Sequence, residues 1–84
     1  MEFEIINLND NKITILKSEG IVISETQDAL DLMAESSCQE SYKIIVFESQ
    51  INPDFFDLRT GLAGEILQKF STYNMQLAIV EFIT

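Results

Sequence analysis

Asn52-Pro53-Asp54-Phe55-Phe56-Asp57-Leu58-Arg59-Thr60-Gly61-Leu62-Ala63-Gly64-Glu65-Ile66-Leu67-Gln68-Lys69-Phe70, followed after a short loop by Leu77-Ala78-Ile79-Val80, is the stretch that decides the fold. Leu58, Leu62, Ile66 and Phe70 recur every four residues with Ala63 and Leu67 beside them, which predicts a helix from about Leu58 to Phe70 carrying one apolar stripe. Arg59, Glu65, Gln68 and Lys69 take its opposite face. The unbroken apolar run Leu77 to Val80 predicts a strand buried on both sides, because a half-exposed strand alternates. Gly61 and Gly64 are neighbours on the helix surface. Glycine in a helix costs about 1 kcal/mol against alanine, so two in one turn predict close backbone contact with the sheet or a partner.

Upstream, Lys43 to Phe47 contains Ile44-Ile45-Val46-Phe47, a second strand of the doubly buried type. Glu48 to Asp57 is the loop that joins it to the central helix; Pro53 disfavours helix at Asn52, and Asp57 or Thr60 can cap the central helix. Ser24 followed by Gln27 has the spacing of a capping box and opens a helix to about Glu35. Ala29, Leu30, Met33 and Ala34 form its stripe, Glu25, Asp28 and Asp31 favour its amino end, and the polar segment Ser36 to Ser41 stops it. Phe3 to Leu8 and Lys12 to Lys17, separated by Asn9-Asp10-Asn11, read as a β-hairpin in which Ile13 and Ile15 share one face and Thr14 and Leu16 the other. Gly20 marks a turn, and Ile21-Val22-Ile23 a brief return of extended chain. Strand, helix, strand, helix, strand implies right-handed crossovers with parallel pairing. The expected architecture is one small α/β domain over residues 1–84: a mixed four-stranded sheet, made of the amino-terminal hairpin plus parallel strands, with two helices on one face.

Composition bounds the function. A chain of 84 residues, 46 % hydrophobic and 23 % charged, folds as a single globular domain. Its size allows burial of only about 60 % of its unfolded surface, so a homo-oligomer is one expectation. The net charge of −9 repels phosphate backbones and anionic lipid, which argues against nucleic acid and membrane partners. There is no long apolar run, and Met1-Glu2-Phe3-Glu4 lacks the basic region of a signal peptide, so a cytoplasmic protein is expected.

Histidine is absent, which removes Ser-His and Cys-His nucleophilic pairs. The single cysteine, Cys38, has only Lys43 as a nearby cation in sequence and reads as a polar-loop or partly buried thiol. Glu48, Asp54 and Asp57 lie around the carboxyl end of a buried strand, where open α/β sheets place ligands. They could supply oxygens to Mg²⁺ or Ca²⁺ or an acid–base pair; helix capping and solvation are the other reading. Of Phe55 and Phe56, one is expected in the core as a lid on the sheet end and the other as an exposed anchor for a partner. Thr60-Gly61 at a helix start suits binding of an anion, acceptance of a phosphate, or simply a cap. No P-loop, dinucleotide fingerprint or zinc spacing occurs, and no cofactor, metal ligand or catalytic residue is assigned. Asp54, Phe55, Phe56, Asp57, Arg59, Thr60 and Gly61 are the candidate binding set of a non-enzymatic protein-interaction or regulatory module centred on Pro53 to Gly64. The alternative is a small-ligand or divalent-metal-dependent enzyme using the acidic residues at the sheet end.

Ala29-Leu30-Asp31-Leu32-Met33-Ala34, the run Asp54 to Phe70 and Leu77-Ala78-Ile79-Val80 together resemble the bacterial family designated domain of unknown function 4180. That resemblance implies the fold and brings no established activity with it. Members usually continue past the last strand, whereas this chain stops at Glu81-Phe82-Ile83-Thr84, which implies a form truncated at the carboxyl end and apolar ends such as Phe82-Ile83 that could self-associate. More distantly, the element order is similar to the sulfate transporter and anti-sigma factor antagonist (STAS) domain, whose second helix opens with Asp-Ser-Ser-Gly-Leu. Gly61 and Leu62 match that motif, and Thr60 falls on its second serine. Arg59 falls on the phosphorylated serine, so the resemblance implies a STAS-like fold and a protein-binding role without the phosphate switch.

Overall fold

The structure, a computed structural model, describes residues 1–81. Asn9 and Asp10 both take positive φ, 51° and 67°, the backbone that a two-residue hairpin turn needs to match strand twist. That turn joins β1 (Phe3–Leu8) to β2 (Asn11–Leu16) in antiparallel register, with Phe3 opposite Leu16 and Ile6 opposite Ile13. Helix α1 (Thr26–Cys38), β3 (Lys43–Phe47), α2 (Leu62–Thr72) and β4 (Gln76–Val80) complete the chain. β2–β3 and β3–β4 pair in parallel, and the strands stand in the order β1-β2-β3-β4. Both crossovers run in the same direction, so right-handedness places both helices on one face. The molecule is an α/β domain with a mixed four-stranded sheet and two helices, as the sequence led us to expect.

The core lies between that face and the helices. Leu16, Ile44 and Val46 from the strands meet Ala29, Leu32 and Met33 from α1 and Ile66 and Phe70 from α2. Thr14 is buried too, and its hydroxyl is one of three that form a closed polar knot. Thr14 Oγ1 donates to Ser41 Oγ at 2.8 Å and lies 2.6 Å from Ser36 Oγ; Ser36 Oγ also reaches the Ser41 carbonyl at 2.8 Å, and Ser41 Oγ the Lys12 carbonyl at 3.1 Å. These bonds tie the end of α1 to β2 and to the start of β3, and every hydroxyl has a partner.

The details of the helices differ from the sequence reading. Glu25, not Ser24, is the first cap: Asp28 Oδ2 accepts from the Ser24 and Glu25 amides at 2.9 and 3.1 Å, so Asp28 fills the place expected of Gln27. α1 runs past Glu35 through Ser36 to Cys38, because the Thr14 knot buries a serine that looked like a helix stop. Its stripe is accordingly Ala29, Leu32, Met33 and Ser36; Leu30 is half-buried and Ala34 exposed. Because both helices lie on one face, neither β3 nor β4 is doubly buried: Ile44, Val46, Leu77 and Ile79 face the helices, while Ile45 and Phe47 are half-buried and Lys43, Ala78 and Val80 exposed. Phe82 and Ile83 lie outside the described residues.

Candidate functional site

Downstream of β3 the chain folds into three short 3₁₀ turns, Glu48–Gln50, Pro53–Phe56 and Leu58–Thr60, before α2 begins at Leu62. Gln50 is their anchor. Its buried side chain accepts from the Phe47 amide at 2.8 Å and donates to the Leu16 and Ser18 carbonyls at 3.0 and 2.8 Å, joining the ends of β3 and β2. Its own carbonyl accepts from Val22 and Ile23, and Ile23 bridges in parallel to Ile51. The extended segment expected at Ile21 to Ile23 is therefore a clasp on the loop.

Asn52 then starts the second turn. Its side-chain oxygen accepts from the Asp54 amide at 3.0 Å, its Nδ2 donates to the Ser24 carbonyl at 3.0 Å, and Pro53 occupies the first turn position, where a missing N–H costs nothing. This geometry turns the two phenylalanines apart. Phe55 enters the core; Phe56 stays 49 % exposed with its ring edge-on to Phe55 at 5.1 Å. The expectation of one core ring and one exposed ring thus resolves into Phe55 and Phe56 respectively.

Asp57 caps the third turn. It accepts from the Arg59 amide at 3.0 Å and from the Arg59 guanidinium at 3.1 and 2.8 Å. The guanidinium bond, with the amide second, holds the Asp57 carboxyl below its ordinary pKa, and Asp57 in turn raises that of Arg59. Thr60 Oγ1 donates toward the Asp54 and Asp57 carbonyls at 2.6 and 2.9 Å and accepts from Leu62 at 3.3 Å. Its hydroxyl serves the loop as a cap. Gly61, at φ 74°, supplies the left-handed residue on which α2 begins.

Two expectations are corrected here. The apolar stripe of α2 starts at Leu62, not Leu58, because Asp57 and Gly61 break the helix into a separate turn; Leu58 is 91 % exposed. Of the two contacts expected for Gly61 and Gly64, the one with the sheet is not made: a Cβ at each would meet nothing of this chain within 4 Å. Among the described residues no three acidic or cysteine side chains come together as a group that could hold a metal. Cys38 is exposed and free at the end of α1.

The site that results is a hydrogen-bonded ledge with Phe56, Leu58 and the Arg59–Asp57 pair on its surface. Beside it runs a shallow cleft of about 370 Å³ whose walls include Ile21, Pro53 and Phe56, with Glu48 and Glu81 at its margin. A larger depression of about 470 Å³, lined in part by Leu30, Met33, Tyr42, Tyr73 and Met75, lies at the opposite end. Tyr42 and Met75 immediately precede β3 and β4, so this depression sits at the amino ends of the parallel strands. Sequence reasoning missed Leu58, Gln50 and this depression; of the three, only Leu58 had a readable signal, Asp57 and Gly61 on either side of it.

Fold and ledge define a small α/β domain whose most exposed large apolar side chain, Leu58, stands on the loop that follows β3. The family described as domain of unknown function (DUF4180) matches residues 8–84, and the chain belongs to that family. No curated protein and no solved structure matches it. Among the described residues no helix is long and apolar enough to cross a membrane.

Proposed function

We propose that the chain is a non-enzymatic protein-interaction or regulatory module of the cytoplasm that binds its partner through the ledge from Pro53 to Gly64. The observation that carries this reading is Leu58, 91 % exposed, beside Phe56 on a loop whose backbone is pinned by Gln50, Asn52, Asp57 and Thr60. An exposed leucine and phenylalanine on a backbone held in place present apolar area at a reduced ordering cost, which suits an anchor in a partner's pocket. Glu48, Asp54 and Glu81 nearby favour a partner that flanks its pocket with basic groups. The likeness of Gly61-Leu62 to the STAS helix start agrees with a protein-binding role.

The test is affinity capture from native cell extract with the parent chain and a Phe56→Ser, Leu58→Ser variant, both shown to be folded by circular dichroism. A protein held stoichiometrically by the parent and lost by the variant supports the ledge. Equal recovery on both removes it. Thermal melts with Mg²⁺ and Ca²⁺ at ionic strength held constant with sodium chloride address the enzyme alternative: a melting temperature that climbs with divalent ion beyond the screening effect of the matched salt would favour a metal site over this reading.

A further inference from the structure

The sheet has a second face, and the described helices leave it bare. Strand alternation and register put Ile6, Ile13, Ile15, Ile45, Ala78 and Val80 there, with Ile6 beside Ile13, Ile15 beside Ile45 and Ile45 beside Ala78. We propose that this face is where two copies of the chain meet, sheet against sheet.

Charge selects the occupant. Glu4 pairs with Lys17 at 3.5 Å on this face, Lys43 stands on β3, and alternation brings Glu2 to the corner, so two positive and two negative charges cancel in a chain of net −9. The whole excess of negative charge lies elsewhere. A basic partner is drawn to those acidic surfaces, whereas a second copy approaching across this neutral, apolar face escapes the repulsion between two chains of net −9. Two identical sheets also share the same twist, which aligned sheet packing requires. Ala78 leaves a depression of about 240 Å³ beside Ile13 and Ile45, a hole that a branched side chain of the second copy can fill. Four strands at about 4.8 Å spacing and about 17 Å length offer on the order of 1,000 Å² of accessible surface over two copies, just under the range of stable interfaces. The dimer is therefore weak and concentration-dependent.

Sedimentation equilibrium from micromolar to millimolar concentration tests it. The expected result is a monomer–dimer equilibrium that tightens as salt screens the net charge. Ala78→Lys, at an exposed position, and Lys43→Glu should each weaken dimerisation by about tenfold or more while the circular dichroism spectrum stays unchanged. Phe56→Ser, Leu58→Ser should dimerise as the parent does, which separates this face from the ledge. A monomer throughout the range overturns the proposal and leaves the face to a different protein. Dimerisation untouched by both sheet variants overturns it as well.

Discussion

Phe55 and Phe56 share a ring contact and face opposite consequences on truncation. Phe55→Ala opens a cavity against the core and should cost about 3 to 5 kcal/mol in chemical denaturation. Phe56→Ala loses little more than the edge-on ring contact, about 1 kcal/mol, and equal losses for the two would contradict the placement. Asp57 makes a second prediction. Its folded pKa is lowered, so the contribution of its bonds to Arg59 is present above the ordinary carboxylate pKa and is lost as pH falls through the lowered value. An NMR titration should find its midpoint below that of a free aspartate. In Arg59→Gln the midpoint should return only part way, because the Arg59 amide still donates. A midpoint that Arg59→Gln leaves in place would show that the guanidinium is not the main cause.

At the scale of elements, the two glycines of the central stretch separate cleanly. Gly64 lies inside α2 with open space around it, so Gly64→Ala should raise stability by about 0.5 to 1 kcal/mol. Gly61 begins the helix at positive φ, so Gly61→Ala should lower it by about 1 kcal/mol. Sequence alone treated them alike, because spacing reports that two residues share a helix surface and says nothing about what stands opposite. The same limit explains Leu58. Its four-residue spacing to Leu62 was real, but the periodicity argument could not weigh Asp57 capping its own amide neighbourhood against one more helical turn. Strand identity, the hairpin and the crossover order were legible, since alternation and apolar runs are local signals. The Thr14, Ser36 and Ser41 knot was not, since it joins residues 22 and 27 apart. Thr14→Val keeps the shape but strips Ser36 and Ser41 of a partner, and should cost about 1 to 3 kcal/mol; an unchanged denaturation midpoint would mean that the hydroxyls find replacements.

The molecule as a whole carries 14 acidic residues against 5 basic ones, and its three ion pairs among the described residues are exposed. Self-repulsion therefore opposes the folded state more strongly than ion pairing supports it. The melting temperature should rise as sodium chloride is raised from low concentration to about 0.5 M, where the Debye length falls to a few ångströms. A fall would show that ion pairs dominate. The strand order has a different consequence. Because β1, β2, β3 and β4 stand side by side in the order in which they are encoded, no strand has to be inserted between two that are already paired. Each strand can add to the edge left open by the one before it, so the sheet can be assembled in the order of its synthesis, like a wall laid course by course.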